Sequence, residues 1–238
     1  MITTILNGYK RPHFLNEQVN AIENQTIKSK EIMLWQNNNS DIFDKNITNN
    51  LTTSIVNKNL GVWARFTYAL NAKTEYICIF DDDTIPGTMW YENCLNTIEE
   101  YNGLLGGIGV IFNSNENYFP IERVGWANPN ETTKEVDIVG HSWFFKKEWL
   151  TAFWRELPPN GYEIVGEDMH FSYMLQKYLG LKTYVPPHPI NNKEMWSSLK
   201  GWEMGTEKNA LSLNPNNMEL MNDYYKKIIK EGFKRIKH

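Results

Sequence analysis

Ile77-Cys78-Ile79-Phe80-Asp81-Asp82-Asp83-Thr84-Ile85-Pro86 is the stretch that decides how this chain is read. Its apolar, β-prone half predicts a buried strand. Three carboxylates stand at the carboxyl end, and Thr84-Ile85-Pro86-Gly87 breaks the strand. Adjacent negative charges repel one another, a cost that a bound cation removes. Hard carboxylate oxygens suit Mg²⁺ or Mn²⁺, an ion often shared with a diphosphate. The carboxyl end of a strand is also where open α/β sheets place their ligands. The plain structural alternative is a polar turn with Thr84 as N-cap of the next helix, for which one carboxylate would be enough.

Working outward, residues 2–7 predict a first strand and 12 to about 25 a helix with Pro12 in its first turn. Residues 31–36 predict a second strand, followed by an Asn/Asp-rich loop, and 52–56 a short third. A helix is expected over 61–72, the aspartate strand over 75–80, and a helix over 88–101. Strands alternating with helices imply a parallel, doubly wound sheet. The pattern then changes. Residues 103–112 read as a Gly-rich strand, and 113–135 as a polar loop with Trp126, long enough to suggest a functional role. A strand over 136–146, a short helix over 147–154 and a turn at Pro158-Pro159-Asn160-Gly161 follow. Glu167-Asp168 opens a helix to about Tyr178, and 181–185 is a last strand. An irregular segment runs from Pro186 to Pro215, and 216–234 is an amphipathic, Lys-rich helix. With no repeat and no low-complexity linker, 1–238 reads as one domain. Its parts are a nucleotide-binding half (1–102), an acceptor half (103–215) and a C-terminal helix (216–238).

A chain of 238 residues can bury a real core. Its net charge of −4 argues against non-specific nucleic-acid binding. Nine Trp and twelve Tyr are plentiful; most belong to a core, but sugar-binding clefts also use exposed aromatic faces, so the excess mildly favours a carbohydrate or nucleotide ligand. The two cysteines, Cys78 and Cys94, suit neither a disulfide framework nor a metal site. No apolar run is long enough to span a bilayer. Met1 leads straight into the first strand with no signal peptide before it, so the expected location is cytoplasmic.

Several other residues belong to the chemistry. The turn Asn7-Gly8-Tyr9-Lys10-Arg11-Pro12 leaves the first strand, where Asn7, Tyr9 and Arg11 can meet a phosphate or base; the alternative is a solvated basic turn. Asn59 precedes a helix whose Arg65 is within reach of a diphosphate or, alternatively, of a salt bridge on the helix face. Glu167 and Asp168 suit a catalytic base or nucleophile facing a sugar, or simply complement the helix dipole. His141 and Ser142 face an acceptor pocket or the core. His188 is a candidate late metal ligand or a loop histidine. Trp196, Lys200 and Trp202 lie where a lid would close, with Lys200 meeting the diphosphate; aromatic packing and a surface lysine are the alternative.

In order along the chain, these residues resemble a GT-A glycosyltransferase. Thr4-Ile5-Leu6-Asn7-Gly8-Tyr9-Lys10-Arg11-Pro12 is similar to the start of glycosyltransferase family 2 and of the exostosin-like family 64. Phe80-Asp81-Asp82-Asp83-Thr84 resembles the exostosin-like form of the DxD motif, and Arg65 precedes it by that family's spacing. Ile138-Val139-Gly140-His141-Ser142-Trp143-Phe144-Phe145 is similar to the acceptor-side strand. Gly166-Glu167-Asp168-Met169-His170-Phe171 is similar to the Asp-Asp motif before a helix, and Met195-Trp196 is a weaker echo of the C-terminal segment. The resemblance implies a GT-A type α/β fold, with a Rossmann-like, mostly parallel sheet flanked by helices, a smaller acceptor-side sheet and a C-terminal helix. It implies a UDP-sugar donor with Mn²⁺ or Mg²⁺ and a hydroxyl acceptor, a glycan by default. Asp83 would be the chief metal ligand, Asp81 and Asp82 would lie near ribose and metal, Asn37 near the uracil, and Asp168 would be the catalytic carboxylate. Family 2 members invert and exostosin-like members retain. Glu167 in place of Asp, and His141 in place of a small residue, depart from the pattern.

Three rival readings compete with this resemblance. A haloacid-dehalogenase-type phosphohydrolase needs Thr or Val where Ile85 stands, and needs its aspartates after the first strand. A non-catalytic nucleotide-sugar-binding protein would not need the acidic motifs. A transferase acting on modified DNA bases, as in phages, is disfavoured by the net negative charge.

Overall fold

Six of the seven residues of strand β1 (Ile2–Gly8) are buried, as in a strand covered on both faces. The computed structural model describes residues 1–38, 43–159, 164–204 and 214–237. β1 pairs in parallel with β2 (Glu31–Gln36), and β2 with β3 (Thr52–Ile55). On its other side β1 pairs in parallel with β4 (Tyr76–Phe80), the strand that runs into the aspartates. The expected doubly wound arrangement describes this half.

The other half is mixed. Its strands are β5 (Leu104–Phe112), β6 (Ile121–Gly125), β7 (Lys134–Val136), β8 (Ile138–Lys146) and β9 (Thr183–Val185). The order across the sheet is β3-β2-β1-β4-β8-β5-β9-β7, with β6 paired to β5. β8 lies antiparallel between β4 and β5, with Phe80 opposite Ser142. The acceptor-side strands therefore continue the main sheet rather than form a smaller one, because β8 supplies the ladder that joins the halves. The stretch read as a polar loop carries β6 and most of β7. β6 is largely solvent-facing, so it lacks the apolar alternation that marks a half-buried strand.

Most helices are shorter at their ends than expected; the one opened by Glu167 runs as expected, to Leu179. A 3₁₀ turn at Pro12–Phe14 precedes α1 (Leu15–Glu23). α2 (Lys45–Thr48) and α3 (Ala64–Ala69) follow, then α4 (Trp90–Tyr101), which ends at Asn102 in a left-handed conformation. α5 (Leu150–Phe153), α6 (Glu167–Leu179) and α7 (Gly201–Met204) precede α8 (Pro215–Lys230). The chain beyond α8 turns back, and the Ile236 amide and Arg235 guanidinium donate to Asp137 and to the Phe112 carbonyl. The Asn/Asp-rich loop after β2, the turn at Pro158–Gly161 and the segment before α8 fall partly outside the described residues.

The main core packs both faces of the sheet and includes Phe66, Phe80, Trp90, Trp143 and Phe171. A second cluster lies under α8, where Tyr224, Tyr225 and Ile228 meet Val110, Phe112 and Met169. Fully burying such a side chain contributes about 1.5–3 kcal/mol, so α8 is anchored to α6 by packing. Among the described residues, no helix is long and apolar enough to cross a membrane.

Candidate active site

β1 and β4 are parallel neighbours, so their carboxyl ends open side by side. There the turn after β1 meets the aspartates. Arg11 Nη1 donates to Asp82 Oδ1 at 2.8 Å and to Asp83 Oδ2 at 2.9 Å, and the Tyr9 amide donates to Asp82 at 3.3 Å. Gln18 of α1 ties the turn from below, donating to the carbonyls of Asp81 and Thr84 at 2.7 and 2.9 Å. Thr84 does not cap α4, whose N-cap is Met89; its hydroxyl donates to the His141 carbonyl at 3.0 Å. The aspartate turn is therefore held by three other elements, which excludes the simple capping alternative.

Arg65 connects the aspartates to the second acidic motif. It is 2% exposed, donates through Nη1 to Asp81 and through Nη2 to Glu167 at 2.6 Å, and lies 4.4 Å over the Trp143 ring. Glu167 and Asp168 begin α6. The preceding Gly166 has φ of +87° and packs against the Tyr224 ring of α8, so a side chain there would meet both strain and a clash. The Met169 amide donates to Asp168 Oδ1 at 2.7 Å, and Asp168 lines the cavity. His170 faces away. Its Nε2–H donates to the Phe153 carbonyl, so its Nδ1 accepts from the Tyr224 hydroxyl at 2.7 Å.

These groups line a cavity of about 250 Å³, with Asn7, Gly140, His141, Val165 and Met221 among its other walls. Five carboxylates face it (Asp81, Asp82, Asp83, Glu167, Asp168) against two guanidiniums, Arg11 and Arg65. Burial pushes Asp82 up to about 7 and holds Glu167 and Asp168 above the usual carboxylate range, with neighbouring carboxylates adding to it. Burial acts the same way on Asp83, but His141 and Arg11 outweigh it and hold Asp83 down at about 2. Burial lowers His141, but Asp83 outweighs it and the net shift is upward. The buried His170 and His188 are pushed down to about 4.

These shifts predict an inverted pH dependence of stability. His170 and His188 are already neutral in the folded state, and the unfolded chain loses their protons through about pH 6.5, so above about pH 7.5 they no longer contribute to the pH dependence. Asp82, Glu167 and His141 then hold protons in the folded state that the unfolded chain has lost, so stability falls as pH rises. The melting temperature of the metal-free protein should drop between about pH 7.5 and 8.5, where ordinary acid-sensitive proteins are flat. A flat or rising profile would show that the carboxylates are ionised without cost.

The arrangement fits a divalent cation. One oxygen each of Asp81 and Asp83 and one ring nitrogen of His141 lie within 4.8 Å of one another. Asp83 Oδ1 is buried without a hydrogen-bond partner, and an orphaned anionic acceptor beside excess negative charge is what a cation relieves.

Other expected site residues lie elsewhere or are already engaged. His188 is fully buried. Its Nδ1–H donates to the Pro186 carbonyl and its Nε2 accepts from Ser197, so neither nitrogen has a lone pair left for a metal. Lys200 pairs with Glu17 at 2.6 Å rather than reaching the cavity. Asn37 and Asn59 line the cavity, but Asn37 donates to Asn59 and Gly61 and accepts from the Leu60 amide, which fixes the loop before α3. Asn7 also lines the cavity, and its Oδ1 is buried without a partner. Trp196 is packed, with its Nε1–H on Pro189, and residues 194–199 bond to 85–89 instead of forming a lid. Gln18 and Met221 carry no mark in any sequence pattern, since each reaches the site only through tertiary packing.

The glycosyl transferase family 2 model matches residues 3–158, about two thirds of the chain, including the aspartate turn and Arg65. The chain belongs to glycosyltransferase family 2. The fold agrees with solved structures of TarS from S. aureus. TarS 1–349 is 15% identical with a TM-score of 0.56, covering 97% of this chain and 90% of that one. Its complex with UDP gives 16% and 0.55 (79% and 58% covered), and its complex with UDP-GlcNAc 15% and 0.51 (81% and 60%). This chain spans only 36% of a longer TarS chain. At such identity the likeness shows the fold. No curated protein sequence matches.

Proposed function

We propose that this family 2 protein transfers a sugar from a UDP-sugar to a hydroxyl acceptor, a glycan by default, with a divalent cation at Asp83 and Asp81. The observation that carries this reading is Arg65, one buried guanidinium bonded both to Asp81 and to Glu167. It locks the carboxylates of the expected diphosphate end to those of the expected sugar end, in one cavity. A diphosphate adds negative charge to a site already rich in carboxylates, so a cation and the two guanidiniums must balance it. The TarS complexes with UDP and UDP-GlcNAc support uridine as the donor's base.

A bound Mn²⁺ or Mg²⁺ would supply Lewis-acid stabilisation of the leaving diphosphate. The chain's own residues do the rest. Arg11 holds Asp82 and Asp83 in place, and the buried Arg65 supplies the counter-charge to Asp81 and to the buried Glu167. Asp168, fixed by the Met169 amide, takes the acceptor's proton as the acceptor oxygen bonds to the anomeric carbon and the sugar–diphosphate bond breaks. Family 2 membership favours the inverting course over the retaining one of exostosin-like enzymes, and the anomeric configuration of the product decides between them.

The test is a thermal-shift panel of UDP, GDP, CDP, dTDP and CMP, each with and without Mn²⁺. UDP should stabilise the protein only with metal, and Asp83→Ala should lose that shift while keeping its fold. No response to any nucleotide would defeat the reading. Metal-independent UDP binding, or a normal shift in Asp83→Ala, would remove the metal from it.

A further inference from the structure

We propose that His141 is a third protein ligand of the cation, beside Asp81 and Asp83, and that its imidazole turns the site towards Mn²⁺ and away from Mg²⁺. This rests on the reading above for the presence of a cation.

The geometry is specific. His141 Nδ1 faces Asp83 Oδ1 at 3.7 Å, too far for a hydrogen bond. Two ligands of one octahedral ion with bonds of about 2.1 Å sit about 3 Å apart when adjacent and about 4.2 Å when opposite. The 3.7 Å separation, and the 4.8 Å limit on the whole Asp81–Asp83–His141 set, fall near that range. Asp83 Oδ1 is the buried acceptor that has no hydrogen-bond partner, and it is the atom His141 faces.

The backbone holds the imidazole in register. The His141 carbonyl accepts from the Asp81 amide and from the Thr84 hydroxyl, both at 3.0 Å, so β8 is bonded to the turn that carries the carboxylates. The Trp126 ring meets the imidazole edge-on with centroids 5.3 Å apart and limits its rotation. His141 itself has a φ of +64°, a conformation that a non-glycine residue adopts at a cost. His188 has no free lone pair, which leaves His141 as the histidine beside the carboxylates.

Ligand chemistry then sets the preference. Mg²⁺ demands oxygen ligands and keeps several waters, whereas imidazole nitrogen suits later divalent ions and is tolerated by Mn²⁺. An all-carboxylate site would bind either ion. A site with one imidazole gives up a Mg²⁺ ligand and gains a Mn²⁺ one.

The experiment titrates Mn²⁺ into the full chain with UDP present, following free Mn²⁺ by electron paramagnetic resonance, with Mg²⁺ measured by competition. His141→Ala should weaken Mn²⁺ at least about tenfold while changing Mg²⁺ less than about twofold. Unchanged Mn²⁺ affinity, or an equal loss for both ions, overturns the assignment. Pulsed resonance on the wild-type Mn²⁺ complex gives an answer even if the variant does not fold. Coupling to a directly bound nitrogen is expected, and its absence overturns the ligand. If UDP and Mn²⁺ bind together normally without that coupling, only His141 falls. If neither binds, the nucleotide-sugar reading falls with it.

Discussion

Asp168→Asn should bind UDP with Mn²⁺ as the wild type does and lose about 10²–10⁴-fold in turnover, the range for removing a general base. The substitution is isosteric, and the Asn side-chain oxygen still accepts the Met169 amide that positions Asp168. What it removes is the capacity to take a proton. The wild-type kcat/KM should fall as pH drops through about 6, where the buried Asp168 carboxyl becomes protonated, and the residual rate of the variant should not follow that curve. Turnover within a few-fold of wild type would exclude Asp168 as the base and shift attention to Glu167.

Arg65→Met should cost about 3–5 kcal/mol at pH 8, the penalty for breaking a buried ion pair from one side. For a chain of this size that lowers the melting temperature by roughly 6–20 °C. The guanidinium is 2% exposed and bonded to two carboxylates, so methionine fills the volume over Trp143 but leaves Asp81 and Glu167 without a counter-charge. The Glu167 share of the deficit should shrink as pH falls below about 8, where that carboxyl takes up its proton, since a protonated carboxyl needs no cation. Arg65→Lys should fall between, because an ammonium keeps the charge but cannot form the planar fork that reaches both partners. An Arg65→Met protein as stable as wild type at pH 8 would mean that the two acidic motifs are not coupled through this residue.

Both predictions depend on contacts that the sequence shows only in part. The run into Asp81–Asp83 and the Gly166-Glu167-Asp168 turn are legible locally. A short β-prone apolar run closed by Thr84-Ile85-Pro86-Gly87 reads as a strand, and a Gly before paired carboxylates at a helix start is a local backbone requirement. The alternation of the first hundred residues likewise announces parallel strands crossed by helices.

The sequence alone therefore determined the parallel pairing of the first half and the acidic motifs, because each depends on a pattern within a few residues, while the family's order of elements was legible only as a resemblance of motifs in sequence. Only the tertiary structure decided that β8 lies antiparallel against β4, which brings His141 to the aspartates. It alone decided that Arg65 joins Asp81 to Glu167, that α8 lends Met221 to the cavity and Tyr224 to the turn before Asp168, and that His188 is used up in the core. Strand pairing and ion pairing across the chain are chosen by which surfaces close the core with the fewest unpaired polar groups. That choice is made by the whole molecule at once and leaves no mark on any short stretch.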